Sequence, residues 1–339
     1  MTASAQRNPW LQLLRVPNLF TVPGDPVAGF LLVMIGWITG ATRHEWSQLT
    51  SPPITGSPTG NGAIDENTIL IFMLLAASSA LLLYCSGLLA NDYFDLEEDR
   101  RERPSRPLPS GRVRPRSAML AALVLALGGI GAAYFAGGKW TAMTAAILAG
   151  VIFFYDAVGK RIPVLGSIAM GACRGLSAMV GAVAAAEGCL HDVSFRTLLP
   201  AVGFAVGLTL YIAAVTSVSK KETGADRVGA RRFLPVAAMF AWVVATAAGT
   251  LFAMVWWVPS AVLLILACGW SISCAASLKG RVQPGDVQRT IGKLIRALLL
   301  MQAAVMILWG FWWPALAIAA ALLIFWPLSA ILGKRFYAS

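Results

Sequence analysis

Residues 67–99 read NTILIFMLLAASSALLLYCSGLLANDYFDLEED, a long apolar run that empties directly into a cluster of acids. The apolar part, 67–90, carries no charged side chain and exceeds the roughly 20 residues a helix needs to cross a ~30 Å hydrocarbon core. It shows no period-2 alternation, and lipid offers no partner for unpaired backbone groups, so a helix is required. Nine more runs of this kind lie outward from it, at about 18–40, 116–137, 140–157, 163–187, 197–218, 233–255, 257–278, 292–310 and 312–333. The fold class that follows is all-α, a polytopic membrane bundle of ten spans. Nothing between the runs is long enough for a second domain, so residues 1–339 read as one integral membrane domain.

Composition points the same way. The 339 residues are 58% hydrophobic and only 13% charged, with a mean hydropathy of +0.70, whereas soluble domains carry about 25% charged residues. These values exclude a soluble globular domain and a disordered chain. The net charge of +11 still needs a reason, and its distribution supplies one. With the N-terminus inside, the inner segments hold 23 of the 27 Lys and Arg residues, leaving Arg43, Lys139 and Arg196 outside and Arg174 within a span. Such a bias orients a multi-pass protein. It predicts a protein of the cytoplasmic (inner) membrane with the N-terminus, the C-terminus and the acidic loops facing the cytoplasm. Trp256-Trp257 and the Trp309–Trp313 turn then read as outer-interface anchors, and the basic balance makes no case for nucleic acid.

Several features carry little chemistry. The segment ahead of the first run, with Arg7, Arg15 and Pro17, lacks a short apolar region followed by a small-residue cleavage site and reads as a retained first helix. Residues 51–61, SPPITGSPTGN, read as a flexible outer loop. The five cysteines are scattered without C-x-x-C spacing and behave as small hydrophobes. His44 and His191 both fall in outer loops.

The chemistry lies at the inner boundary. Asp92, Asp95 and Asp99 are spaced 3 and 4 apart, which places all three carboxylates on one helical face. Three like charges on one stripe need a compensating cation. A hard divalent ion answers that need, above all Mg²⁺, which is usually held by one or two carboxylates together with substrate phosphates. The plainer alternative is a solvated helix end whose acids pair with Arg100, Arg101 and Arg103. The sixth run ends with Ser219, Glu222 and Asp226 in the same 3-then-4 spacing, and between the two stripes the fourth-to-fifth loop supplies Tyr155, Lys160 and Arg161, cations suited to phosphate oxygens. Together they describe a two-sided clamp for Mg²⁺ and a diphosphate. Arg174 is a charge inside a span that either borders a cavity or pairs with Asp25. Gly171 and Gly175 form a small-xxx-small step suited to close helix packing, and Glu187 reads as interfacial.

These motifs resemble those of the UbiA superfamily of intramembrane prenyltransferases. Asn91-Asp92-x-x-Asp95-x-x-x-Asp99 matches the family's first Asp-rich motif, and Arg103-Pro104 with Arg106-Pro107-Leu108-x-Ser110-Gly111 resembles its continuation. Tyr155-x-x-x-x-Lys160-Arg161 is similar to the fourth-loop signature, and Ser219-x-x-Glu222-x-x-x-Asp226 with Leu234-Pro235 to the second Asp-rich motif, in which two Asp are replaced. The Val218-Ser219-x-x-Glu222 form, Arg15-Val16-Pro17-Asn18 and Ala172-Cys173-Arg174 look closest to the EboC-like branch. The resemblance implies a nine-helix core with a tenth helix added at 312–333. It implies Mg²⁺-dependent transfer of a prenyl group from an allylic diphosphate to an acceptor whose identity stays open, within isoprenoid biosynthesis. In that scheme Asn91, Asp92, Asp95, Asp99, Glu222 and Asp226 hold Mg²⁺, and Lys160 joins the acids in the catalytic set. Asn91, Arg103, Tyr155, Arg161, Arg174, Asn18, Ser219 and Lys221 contact the diphosphate or line the cavity. The competing class is a non-catalytic prenyl-lipid binding or transport protein on the same fold, since fold alone does not decide activity.

Overall fold

A computed structural model of the chain describes residues 8–41, 65–190, 193–219, 228–250, 257–280, 283–310 and 312–337. Their regular structure is helical throughout. A short α1 (Pro9–Leu13) and a 3-10 turn (Val16–Thr21) lead into α2 (Gly24–Ala41) and α3 (Glu66–Phe94). After a short α4 (Leu96–Glu102) come α5 (Pro115–Ala136), α6 (Lys139–Ala157), α7 (Pro163–Cys189) and α8 (Phe195–Ser219). The chain then forms α9 (Leu234–Thr250), α10 (Trp257–Ser277), α11 (Pro284–Ile307) and α12 (Trp313–Tyr337). The ten long helices fall on the ten apolar runs. Among the described residues, eight are long and apolar enough to cross a membrane, and the apolar stretch of α12, Trp313–Leu328, is shorter. The expected run at 233–255 continues past α9 into residues outside the described ones, as does the expected loop at 51–61.

The helix α5 buries small side chains and turns large ones outward. On α5, Ala118, Ala122, Ala126, Gly129 and Ala133 are buried at helical spacing, while Leu120, Leu127 and Phe135 are exposed. That inversion of a soluble helix is the expected solution in lipid, where tails are as apolar as Leu and close backbone contact drives association. The tightest approach is between α2 and α7. A Cβ added at Gly181 would lie 1.8 Å from the Pro26 carbonyl oxygen, and one at Gly29 would lie 2.0 Å from that of Ala178. The Gly171 and Gly175 step sets α7 on α8 in the same way, with an added Cβ at Gly171 only 2.1 Å from the Thr209 carbonyl oxygen.

Two local expectations change, and a third, Glu187, gains its partners. The helix on the ninth run, α11, begins at Pro284, well before 292, so Asp286 and Arg289 lie on helix and not in a loop. Hydropathy loses that first stretch because Asp286 and Arg289 dilute it, although Pro in the first turn is a start signal. Trp309 and Trp312 are buried at 1% and 4% exposure, and Trp309 Nε1 donates to the Leu31 carbonyl at 3.1 Å. They are core residues that join α11 to α2, while Trp313 is exposed. Glu187 accepts from the Thr141 amide and hydroxyl at 2.9 and 3.0 Å and from the Trp140 amide at 3.2 Å, so it satisfies the free N–H groups at the start of α6.

The added helix α12 packs on α11 and on the 3-10 turn, where Phe20 and Phe325 stack with centroids 4.7 Å apart. It therefore braces the segment that carries Arg15 toward the acids.

Candidate active site

The acidic stripe survives a break in the helix. Asp95 sits at the joint between α3 and α4 with φ −89° and ψ 2°, yet its amide still bonds to the Asn91 carbonyl at 2.9 Å and the Asp99 amide to the Asp95 carbonyl at 2.8 Å. Helical pitch is thus retained through the joint. Asp92 and Asp99 remain on a shared face, and one cation serves both: Arg106 Nη1 donates to the two Asp99 oxygens at 3.0 and 2.7 Å and lies 3.9 Å from Asp92.

Two further cations come from distant sequence. Arg15 Nη2 donates to Asp92 at 2.7 Å. Among the described residues Arg15 is the one non-glycine residue with positive φ, at 44°, a left-handed conformation that costs roughly 1–2 kcal/mol. Strain of this kind concentrates where a side chain is aimed for function. Lys160 donates to Asp95 and, at 3.3 Å, to Asn91, so the turn after α6 closes over the first motif. Of the nearer arginines, Arg100 pairs with Glu97 and Arg103 only approaches Asp99, at 3.9 Å. Local pairing explains the outer acids, whereas the three stripe acids are met by residues 15, 106 and 160.

Behind this mouth lies a cavity of about 270 Å³ walled by α3, α6, α7 and the N-terminal segment. Its α3 wall runs from Asn91 to Ala80, about 16 Å of helix at 1.5 Å per residue. Apolar groups including Leu148, Ile152 and Met170 line it beside Tyr155, Asp156, Cys173, Arg174 and Ser177. Arg174 is only 11% exposed and forms an ion pair with the fully buried Asp25 at 2.7 Å. Its Nη2 also donates to the Thr21 carbonyl at 2.8 Å, and Gln302 Nε2 donates to Asp25 at 2.6 Å.

Asn91 and Tyr155 line the cavity, and Asp92, Asp95, Asp99 and Lys160 are tied to it through their bonds to Arg15, Asn91 and Arg106. Arg161 is exposed, and among the described residues no side-chain hydrogen bond or ion pair joins it to the site. Ser219 ends α8 with its hydroxyl turned back onto the Thr216 carbonyl at 2.8 Å. Lys221, Glu222 and Asp226 lie outside the described residues, as does the side chain of Asn18. Sequence reasoning left four residues without a site role. Arg15 and Arg106 sat inside quoted motifs but were counted as topology charges or motif continuation. Asp156 is in sequence one acid beside the basic Lys160-Arg161 loop, and Ser177 carries no signal beyond its place four residues after Cys173.

An apolar helical bundle with basic-capped acids beside a polar-and-apolar cavity is the architecture of a multi-pass membrane protein. The UbiA prenyltransferase family profile matches residues 57–291, more than half of the chain, and the chain belongs to that family. It is 38% identical over 133 residues to a digeranylgeranylglyceryl phosphate synthase of Thermococcus gammatolerans, a match covering 39% of this chain and 46% of that protein. The chain spans about half the length of the curated relatives it matches. Its fold is similar to the apo structure of a UbiA homologue from Aeropyrum pernix K1, with a TM-score of 0.59, 16% identity and coverage of 85% and 96% of the two chains. It is also similar to a UbiA homologue from Archaeoglobus fulgidus bound to DMAPP and Mg²⁺, with a TM-score of 0.50, 16% identity and coverage of 88% and 99%.

Proposed function

We propose that this protein is a Mg²⁺-dependent prenyltransferase that moves a prenyl group from an allylic diphosphate to an acceptor inside the membrane. The observation that carries the reading is a cluster of carboxylates, Asp92, Asp95 and Asp99, each met by Arg or Lys and tied through Arg15 and Asn91 to the wall of a largely apolar cavity. Acids and bases held together at the edge of lipid suit a ligand that is anionic at one end and apolar at the other.

The donor set fits Mg²⁺. Asn91, Asp92 and Asp95 offer hard oxygen donors, and the Arg and Lys partners already on these acids mark the positions where positive charge is favoured. Among the described residues no three carboxylate, thiol or imidazole groups converge into an all-protein cage, which suits an ion that takes only one or two carboxylates and completes its shell with water and phosphate oxygens. When bound, Mg²⁺ supplies charge stabilisation to a diphosphate as its C–O bond ionises. Asn91, Asp92 and Asp95 would hold it from this side, and Glu222 and Asp226 from the other. Asp99 is 5% exposed and taken up by Arg106, so its role is to fix Arg106 between the acids.

The remaining steps belong to the chain's own residues. Lys160 and Arg15 swing from carboxylate to phosphate oxygens as the ligand enters, a trade between partners of like charge, while Tyr155 borders the reacting end. Leu148, Ile152 and Met170 exclude water from the allylic cation. The charge bias supports a cytoplasmic mouth in the inner membrane, with both termini on that side. The variant Ser219-x-x-Glu222 motif supports a place in the EboC-like branch. The relatives' name makes geranylgeranyl diphosphate the first donor to try.

The test is Mg²⁺-dependent release of diphosphate from geranylgeranyl or dimethylallyl diphosphate by the detergent-purified chain. Release that requires Mg²⁺ supports the reading. Tight binding of the donor with no release under any acceptor supply would assign the chain to the non-catalytic binders.

A further inference from the structure

The first half of α11 carries a row of cations that nothing described so far uses. Arg289, Lys293 and Arg296 are spaced 4 and 3 apart, which sets them on one helical face, where like charges repel unless something answers them. Arg289 reaches Asp286 at 3.6 Å with both side chains largely in solvent. Among the described residues no ion pair or hydrogen bond meets the side chain of Lys293 or Arg296. Counted back from Leu308, the cap of α11, the ~20 residues that cross a hydrocarbon core reach position 288. Arg289 then stands at the inner edge of that core, and Lys293 and Arg296 stand within it. A charge at such depth is expensive unless it reaches water or an anion.

The packing around these cations shows where they reach. Helices α10 and α12 both pack on α11, and they meet each other through Trp270 and Trp326, whose ring centroids stand 4.9 Å apart. Trp270 Nε1 donates to the Lys293 carbonyl at 2.9 Å, which fixes the ring pair at the level of the cations. Further along the same face Leu300 and Ala303 are buried, so the groove between α10 and α12 is closed there and opens toward its inner end, where Lys293 is exposed and Arg296 half-buried. Arg296 Nη1 lies 3.9 Å from where a Cβ on Gly292 would stand. The guanidinium therefore runs back along the helix toward the inner boundary, the direction helical side chains favour, and Gly292 leaves room for it. Lys293 and Arg296 both lie within electrostatic range of Cys274 on α10, a buried thiol and no counter-ion. Beside the two tryptophans, Ile272 and Ile324 are exposed apolar surface.

We propose that this groove binds the headgroup of an anionic glycerophospholipid from the cytoplasmic leaflet, in the orientation set by the charge bias, with the phosphodiester between Lys293 and Arg296 and the acyl chains against Ile272 and Ile324. Three features select that ligand. The two cations supply charge that no acid among the described residues completes. Their depth suits a phosphate carried in by its own apolar chains, whereas a free phosphate would have to shed its water to reach them. The tryptophan pair belongs to the ring belt found at headgroup level, and basic pockets between helices on the cytoplasmic side take such headgroups. Because α12 forms one wall of the groove and also packs on the 3-10 turn, a bound lipid holds α12 where it braces the segment carrying Arg15. The site lies on the outside of the bundle and does not depend on the prenyl-transfer reading.

The experiment uses the full chain in a non-ionic detergent, without prenyl diphosphate, and follows its unfolding temperature as dioleoylphosphatidylglycerol, dioleoylphosphatidylcholine or inorganic phosphate is added. The expected result is a saturable rise with phosphatidylglycerol at a concentration at least ~10-fold below any effect of phosphatidylcholine, since net anionic charge is what the cations read. Millimolar phosphate should give no rise. Lys293→Gln combined with Arg296→Gln should weaken the phosphatidylglycerol response about 30-fold, the loss of two contacts between a basic side chain and an anionic headgroup. Arg114 and Arg116 are exposed at the start of α5, and Arg114→Gln with Arg116→Gln removes the same charge from the same side. That control should change the response less than ~2-fold, because general surface attraction is spread over all the inner cations. Equal response to the two lipids, a rise with phosphate alone, or an equal loss in the α5 control would each overturn the site. If the α11 double variant does not fold, the comparison of the two lipids on the wild-type chain and the single Arg296→Gln, expected to weaken the response about 5-fold, still decide.

Discussion

Two ionic clusters lie near one another and are built on opposite terms. At the mouth, Arg15, Arg106 and Lys160 keep side-chain exposures of 33%, 31% and 18% while holding their acids. Deeper in, Asp25 is sealed at 0% exposure, with Arg174 at 11%. The deep cluster ties α2, α7 and α11 together through Asp25, Arg174, Thr21 and Gln302. Its members point at one another and hold the segment that delivers Arg15. The mouth cluster keeps one side to water, so its cations can trade a carboxylate for an incoming phosphate. Under the proposed function the same residue types thus serve structure where the pair is closed and would serve ligand exchange where it is open.

The largest test of that contrast is at the mouth. Asp95→Ala and Asp92→Ala should abolish Mg²⁺-dependent diphosphate release, a loss of at least ~10²–10³-fold for removing a preorganised electrostatic contact, measured by a phosphate-release assay at saturating Mg²⁺. Full activity in both variants would remove the acidic stripe from the chemistry.

The deep cluster should answer in stability instead. Arg174→Met leaves a buried carboxylate unpaired, and breaking such a pair costs about 3–5 kcal/mol. Thermal unfolding in detergent should fall accordingly, and Asp25→Leu combined with Arg174→Met should recover most of the loss, because an apolar pair of similar volume removes the unpaired charge. If Arg174→Met unfolds like the wild type while its activity per folded molecule collapses, the two clusters do not divide as described.

This division also explains what was legible in the sequence. The ten helices are readable because hydropathy is a local property; the starts differ most at α2, which begins at Gly24 after a 3-10 turn, and at α11, where Asp286 and Arg289 hide an amphipathic start. The carboxylate stripe was readable because spacings of 3 and 4 define a helical face. Its partners were not, since Arg15 lies 77 residues from Asp92 and Lys160 lies 65 from Asp95, and no local pattern encodes such pairing. Asp156 was missed for a related reason: in sequence it is one acid beside a basic loop, and only the packed cavity leaves its oxygen without a partner.

A smaller effect separates the two roles of Lys160. Its ammonium occupies Asp95 and Asn91 in the structure, so in the proposed reaction it would compete with Mg²⁺ for those oxygens and assist the diphosphate once displaced. Lys160→Met should raise the KM for the prenyl diphosphate ~10-fold, the loss of one charge-assisted contact of about 1.5–3 kcal/mol. It should at the same time lower the Mg²⁺ concentration needed for half-maximal rate. A Mg²⁺ requirement that rises instead would mean that Lys160 positions the acids and does not exchange.

The smallest expected change is at the end of α8. Ser219 turns its hydroxyl to the Thr216 carbonyl, a contact any serine at a helix end can make, and a hydroxyl is a weaker Mg²⁺ donor than a carboxylate. Ser219→Asp replaces that inward bond with a charge that the helix carbonyls repel, which drives the side chain away from the helix and toward any cation opposite. If α8 faces the first stripe across the mouth, Mg²⁺ at half-maximal rate should fall several-fold with kcat little changed. An unchanged Mg²⁺ titration would mean that the clamp is one-sided and that Asn91, Asp92 and Asp95, with water and the diphosphate, complete the metal shell without help from α8.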